Sequence, residues 1–199
     1  MTAGLVLFHA WWGLDADVRK RAESLRQDGY AVVTPDFFGG RVASTIDEAN
    51  VLSSSFEKDE AALTQIAETA VVDLAGKVDR VGIVAWSFGA WYTWKMGIAH
   101  PDKVHAIVLF YGFGPKAVAG PMPPVLAHFA EQDPYEDIGR AREIEREMRA
   151  GGKDVRVELY AGTRHWFDER SRPEFDGAAS ALAWQRTNAF LGKHLRVSR

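Results

Sequence analysis

The sequence predicts an α/β protein, with a mainly parallel, doubly wound six-stranded sheet flanked by helices, in one domain spanning residues 1–199. Short β-branched or aromatic runs recur along it, helical patterns separate many of them, and most runs are continuously apolar. The last feature is how strands read when helices bury both faces of a parallel sheet.

Leu5 to His9 is the first such run. Asp15 to Gln27 follows as a helix, with Val18, Ala22 and Leu25 on one face and Gly29 placed to supply a left-handed stop. Ala31 to Thr34 is the second strand. Residues 36 to 56 carry Gly39, Gly40 and Ser53 to Ser55, show the weakest periodicity, and read as a surface excursion. Glu57 to Leu74 is a helix, and Val81 to Trp86 is a strand with helical sequence directly after it. Ala106 to Tyr111 and Val125 to Phe129 are strands; Ile138, Ala141, Ile144 and Met148 then mark a helix closed by Gly151 and Gly152. Val155 to Tyr160 is the sixth strand, and Asp176 to about His194 the last helix.

Composition narrows the function. Hydrophobic residues at 47% and charged residues at 26% suit a globular chain and not a disordered one. The 24 basic residues do not outnumber the 27 acidic ones, so no global field draws the protein to nucleic acid or an anionic membrane. The tail group Lys193, His194, Arg196 and Arg199 is too small a cluster to change that. A small, uncharged or weakly charged ligand is expected, with the protein a monomer or homodimer. The absence of cysteine excludes disulfides, thiolate zinc sites and a cysteine nucleophile. Met1 to Ala10 lacks the marks of a secretory signal and no apolar run approaches the ~18 residues of a membrane span, so a cytoplasmic location is expected.

The sharpest motif is Gly82-Ile83-Val84-Ala85-Trp86-Ser87-Phe88-Gly89-Ala90, where a buried strand ends in small-x-Ser-x-Gly and a helix begins. A serine on so tight a turn projects its hydroxyl, and the residues two before and two after it crowd their neighbours unless small. Ala85 and Gly89 meet that need. The following helix N-terminus favours developing negative charge. Capping that helix is the competing job for Ser87.

A serine nucleophile needs a base, and of the six histidines His165 is placed for it, in a loop just after the sixth strand, where open α/β folds hold ligands. Asp133 follows the fifth strand and can orient the imidazole, with Glu131 and Asp137 as nearby substitutes. The chain order Ser87, Asp133, His165 is the one this strand-turn-helix context calls for. Backbone N–H groups of Phe88 and Trp11 are the expected oxyanion donors, with Trp12 the alternative for the second. Trp12, Trp86 and Trp166, each within a residue or two of this machinery, are expected to line an apolar substrate pocket. His9 has no partner at ligand spacing, so its ring is given a structural role and no metal or cofactor is implied.

These segments together resemble the dienelactone hydrolase family over nearly the whole length. His9-Ala10-Trp11-Trp12-Gly13-Leu14, Thr34-Pro35-Asp36-Phe37-Phe38, Ala85-Trp86-Ser87-Phe88-Gly89 and Arg164-His165-Trp166-Phe167 match in order. The resemblance implies an α/β-hydrolase core lacking the first two strands of larger hydrolases, in the order 2-1-3-4-5-6. It places nucleophile, acid and base at Ser87, Asp133 and His165 and supports Trp11 and Phe88 as oxyanion donors. The founding enzymes carry cysteine where this chain has Ser87 and glutamate where it has Ala10, and losing both together points to serine-esterase chemistry. They also hold a substrate carboxylate with arginines, one shortly after the base, where this chain has Asp168 and Glu169 before Arg170.

The expected activity is hydrolysis of a carboxylic ester or lactone of a small apolar or aromatic substrate through an acyl-enzyme. A thioesterase or acyl transferase would use the same triad, and a non-catalytic ligand-binding protein is the rival of another class. Competent side chains at all three triad positions weigh against the latter.

Overall fold

In the computed structural model, which describes residues 2–195, the chain runs β1 (Ala3–Phe8), α1 (Ala16–Gln27), β2 (Ala31–Val33), α2 (Ile46–Glu57), α3 (Glu60–Ala75), β3 (Arg80–Trp86), α4 (Phe88–Ala99), β4 (Val104–Phe110), β5 (Val125–Gln132), α5 (Ile138–Ala150), β6 (Val155–Arg164) and α6 (Gly177–Leu195). Arg196 and Arg199 of the basic tail lie outside the described residues. The strands form one sheet in the expected order β2-β1-β3-β4-β5-β6, every neighbouring pair parallel. Among the described residues no helix is long and apolar enough to cross a membrane.

Local chemistry accounts for the elements. Asp15 caps α1 by accepting the N–H groups of Asp17 and Val18, its apolar face buries Val18, Ala22 and Leu25, and Gly29 turns the chain at φ 92°. The central strands are apolar on both faces because both are covered; Leu5 to Phe8 and Ala106 to Tyr111 are fully buried.

The excursion over 36–56 contains a helix that periodicity did not reveal. Thr45 and Glu48 form a capping box at the start of α2, whose buried positions are Ala49, Leu52 and Ser53. Two of those three are small or polar, so the apolar stripe is nearly invisible in the sequence. Glu57 ends this helix instead of starting the next; α3 begins at Glu60, capped by the Asp59 carboxylate.

Two features of the sheet position the site. The strand order reverses direction at β1 and β3, a switch point whose crevice lies beyond the strands' carboxyl ends. At the other end, β5 and β6 run past their expected limits through a register shift, and Gln132 and Arg164 become paired partners. Asp133 and His165 are the next residues along each strand, so the two emerge side by side.

Candidate active site

Ser87 joins β3 to α4 with φ 45° and ψ −111°, a left-handed conformation costing a non-glycine residue on the order of 1–3 kcal/mol. The surroundings hold it there. Its N–H donates to the Phe110 carbonyl at 2.9 Å and its carbonyl accepts the Ala90 N–H at 2.8 Å. The glycine two residues on is sterically required, since a Cβ at Gly89 would sit 2.6 Å from the Phe8 carbonyl oxygen. Gly112 is a second requirement that the serine motif does not contain: a Cβ there would lie 2.7 Å from the Ala90 Cβ and 3.0 Å from the Ser87 carbonyl oxygen. Its signal is its place directly beyond β4.

The helix-cap alternative for Ser87 does not hold, because its side chain makes no cap hydrogen bond to α4. Instead the hydroxyl donates to His165 Nε2 at 2.9 Å. His165 Nδ1 lies 2.9 and 2.7 Å from the two Asp133 carboxylate oxygens. With Nδ1–H donating to the acid, Nε2 is left as the acceptor facing the serine. Both side chains are almost sealed, at 3% and 1% exposure, which shields the relay from competing water.

Asp133 also behaves as a turn aspartate, accepting the N–H groups of Tyr135 and Glu136 at 2.9 and 3.1 Å. Those bonds fix the carboxylate against the imidazole. The substitutes are otherwise engaged: Glu131 accepts the Gly162 N–H, and Asp137 caps α5.

Three aromatic rings that the sequence reading did not place as supports hold the imidazole. Tyr111 and Tyr135 lie 4.8 and 4.9 Å from it, centre to centre, and Trp166 meets it edge-on at 5.1 Å. Behind Tyr111, its hydroxyl donates to Glu169 at 2.9 Å. Burial, and then the nearby Asp15, push the Glu169 carboxyl well above the ordinary carboxylate range. Asp168 accepts hydrogen bonds from Trp86, Trp184 and Ser180, and burial raises its carboxyl too, against the pull of Arg21. These two acids build the wall behind the base.

His9 is structural, as its isolation in the sequence implied. Its ring is fully buried, with Nδ1–H donating to the Ala10 carbonyl at 2.6 Å and Nε2 accepting the Phe37 N–H at 3.0 Å. Burial outweighs both the Ala10 bond and Asp36, lowering its pKa to about 4 and leaving it neutral. The ring thereby pins the loop that carries Trp11.

Ser87 opens into a cavity of about 540 Å³. Trp11 and Phe88, whose backbones are the expected oxyanion donors, line it; Phe88 begins α4, so its N–H has no partner within the helix. The rest of the lining is Ser53, Glu57 and Glu60 from α2 and α3, Trp91 and Tyr92 from α4, and Phe113 and Glu136 from loops beyond β4 and β5.

None of the tryptophans expected in the pocket lines this cavity. Trp86 precedes Ser87 at the end of a strand, where adjacent side chains point to opposite faces. It stacks on Phe110 and donates to Asp168 at 3.0 Å. Trp12 is buried beneath the Arg172 guanidinium, 3.6 Å away. Trp166 is buried behind His165 and faces a separate depression shared with Tyr135 and Glu174. Trp91, Phe113 and Glu136 were missed; only Trp91 carried a signal, lying four residues after Ser87 and hence on the same helical face.

Comparison with known proteins agrees with this architecture. "Protein usf" of Aquifex pyrophilus is 26% identical over 204 residues, covering 96% of this chain and 88% of the relative. A dienelactone hydrolase-like promiscuous phosphotriesterase from metagenomic libraries superposes with a TM-score of 0.83 at 20% identity, over 98% of this chain and 87% of the other. Thermogutta terrifontis esterase 2, phosphonylated by cyclosarin, gives 0.74 at 14% identity, over 99% and 85%. At such identities the two structures speak for the fold alone. The family assignment rests on the sequence itself, since the dienelactone hydrolase family model matches residues 2–195, from the first strand to the last helix. The chain belongs to the dienelactone hydrolase family.

Proposed function

We propose that the protein is a serine hydrolase that cleaves small carboxylic esters or lactones through a Ser87 acyl-enzyme. The observation that carries this reading is the unbroken relay from Ser87 Oγ to His165 Nε2 to the Asp133 carboxylate, built on a serine held in a strained turn with no capping role.

Ser87 Oγ attacks the carbonyl carbon while its proton passes to His165 Nε2. Asp133 keeps hold of Nδ1–H and stabilises the imidazolium. The backbone N–H groups of Phe88 and Trp11 receive the oxyanion, helped by the positive end of α4. The bond to the leaving oxygen then breaks, and Nε2–H protonates it to release the alcohol. Water attacks the acyl-enzyme, gives one proton to Nε2, and the acid departs as Ser87 regains its hydrogen. Nε2 must start unprotonated to accept the serine proton, so the rate is expected to fall in acid. The aromatic lining of the cavity supports an apolar or aromatic group on the substrate.

Hydrolysis of a short-chain chromogenic ester, compared between the parent and Ser87→Ala, tests this. Turnover abolished in the variant is expected; equal turnover in both contradicts the assignment.

A further inference from the structure

The cavity at Ser87 carries a marked charge imbalance. Glu57, Glu60 and Glu136 line it, and among the described residues no lysine, arginine or histidine does. Glu60 is already engaged, by the Trp91 indole N–H at 2.9 Å and by the Lys95 ammonium. Glu136 is different: it is part-buried between this cavity and a neighbouring one, and the two cavities share Trp91 and Phe113. Where the resemblance would place an arginine for a substrate carboxylate the chain has Asp168 and Glu169, and Arg170 after them lines a separate cavity with Trp86.

Resting on the hydrolase reading, we infer that the ester accepted here carries an ammonium group, seated between the Glu136 carboxylate and the rings of Trp91 and Phe113. An aromatic face attracts a cation through its quadrupole, and a carboxylate beside it adds direct charge attraction. A substrate carboxylate would meet like charge from Glu57 and, above about pH 8, from Glu136 as well. Burial first, and then Asp133, push the Glu136 carboxyl up to about 8, as befits an acid with no counter-charge among the described residues. The other charged groups around it are Asp133 with its partner His165, Glu57 and Glu60 across the cavity with Lys95 held by Glu60, and Asp137 and Arg140 at the start of α5. Asp137 is used as the helix cap and Arg140 is paired with Glu143. The substrate would supply the missing cation.

The test compares acetylcholine with its neutral carbon isostere, dimethylbutyl acetate. A second pair puts the charge on the acyl side: ethyl trimethylammoniobutanoate against ethyl dimethylhexanoate. The ratio of kcat/KM within a pair cancels any effect of pH on the triad, which both esters share. It is measured one pH unit on either side of about 8. A preference of about tenfold for the cationic member of one pair at the higher pH is expected, shrinking at the lower pH as Glu136 gains its proton. Glu136→Gln brings that ratio to within about twofold of unity at both pH values, whatever it does to either rate alone. Trp91→Leu, further from the triad loop, lowers the ratio too and serves if the first variant fails to fold. Ratios near one in both pairs, or a preference that survives both substitutions, overturn the cation site while Ser87-dependent turnover of the neutral esters leaves the hydrolase reading standing. If no ester is turned over, the hydrolase reading fails, and tetramethylammonium titrated against tryptophan fluorescence reads the site alone. Saturable binding weakened in Glu136→Gln then supports it, and no saturable change overturns it.

Discussion

On one side of the cavity, Ser87, Asp133 and His165 leave the ends of β3, β5 and β6, with the acid and base almost sealed from solvent. On the other side, α2 and α3 present Ser53, Glu57 and Glu60, with both carboxylates exposed. The first side is positioned by strand register: Gln132 pairs with Arg164, and Phe8 with Ala85, so each functional loop starts from a fixed height. The second hangs on two helices that meet at Lys58 and Asp59. In the proposed reaction the chemistry is thus built on the sheet, while the helical wall across the cavity can vary without disturbing it.

The largest effect expected on the sheet side comes from Asp133→Asn. It leaves a hydrogen-bonding group in place but upsets the imidazole tautomer, and kcat is expected to fall by about 10³- to 10⁴-fold with little change in KM. A steady-state comparison on the chromogenic ester measures it; a change confined to KM would place Asp133 on the binding side instead.

His128 tests how far the sheet side depends on buried neutral groups. It lies on β5 beneath the acid's loop, bonded to the Tyr160 hydroxyl at 2.8 Å and the Thr187 hydroxyl at 2.9 Å. Burial, aided by Arg186, lowers its pKa from 6.5 to about 3. The unfolded chain therefore takes up this proton first, and stability is lost as pH falls from 6.5 towards 3, by on the order of 5 kcal/mol. Denaturant unfolding across that range is expected to show a shallower acid loss in His128→Gln than in the parent. Equal slopes would remove His128 from the account.

Gly112→Ala probes the crowded elbow. The added Cβ must displace Ala90 or the Ser87 backbone, at a cost of about 1–3 kcal/mol in stability. Displacement of the nucleophile lowers kcat by up to about 100-fold. Thermal unfolding and kcat together measure it; an unchanged kcat would show that the turn tolerates the shift.

The smallest effect belongs to the helical wall. Thr45→Ala removes the α2 cap, worth about 1 kcal/mol, and loosens the helix carrying Ser53. KM is expected to rise while kcat holds. A fall in kcat at constant KM would mean that the two sides are not separable.

The same contrast explains what was legible in the sequence. Ser87 and Asp133 follow apolar strands, His165 follows one of alternating pattern, and small residues at 85 and 89 mark the turn, so local pattern and chain order were enough to single them out. The strand order also followed, from the alternation of elements and the resemblance. The substrate side was not legible. Trp12, Trp86 and Trp166 are near the machinery along the chain but turn away from the cavity at Ser87: strand alternation directs Trp86 to Phe110, Trp12 packs beneath Arg172, and Trp166 faces a separate depression. The α2 helix hid behind an alanine and a serine at core positions. Glu136 reaches the cavity through a loop whose course depends on the register shift of β5 against β6, which no local pattern encodes.

The most direct measurement of the central claim is the mass of the intact protein after reaction with a fluorophosphonate, followed by peptide mapping. A single adduct on Ser87, absent from Ser87→Ala and formed more slowly in Asp133→Asn, is the expected result. An adduct that persists in Ser87→Ala, or maps to any other residue, would contradict Ser87 as the nucleophile.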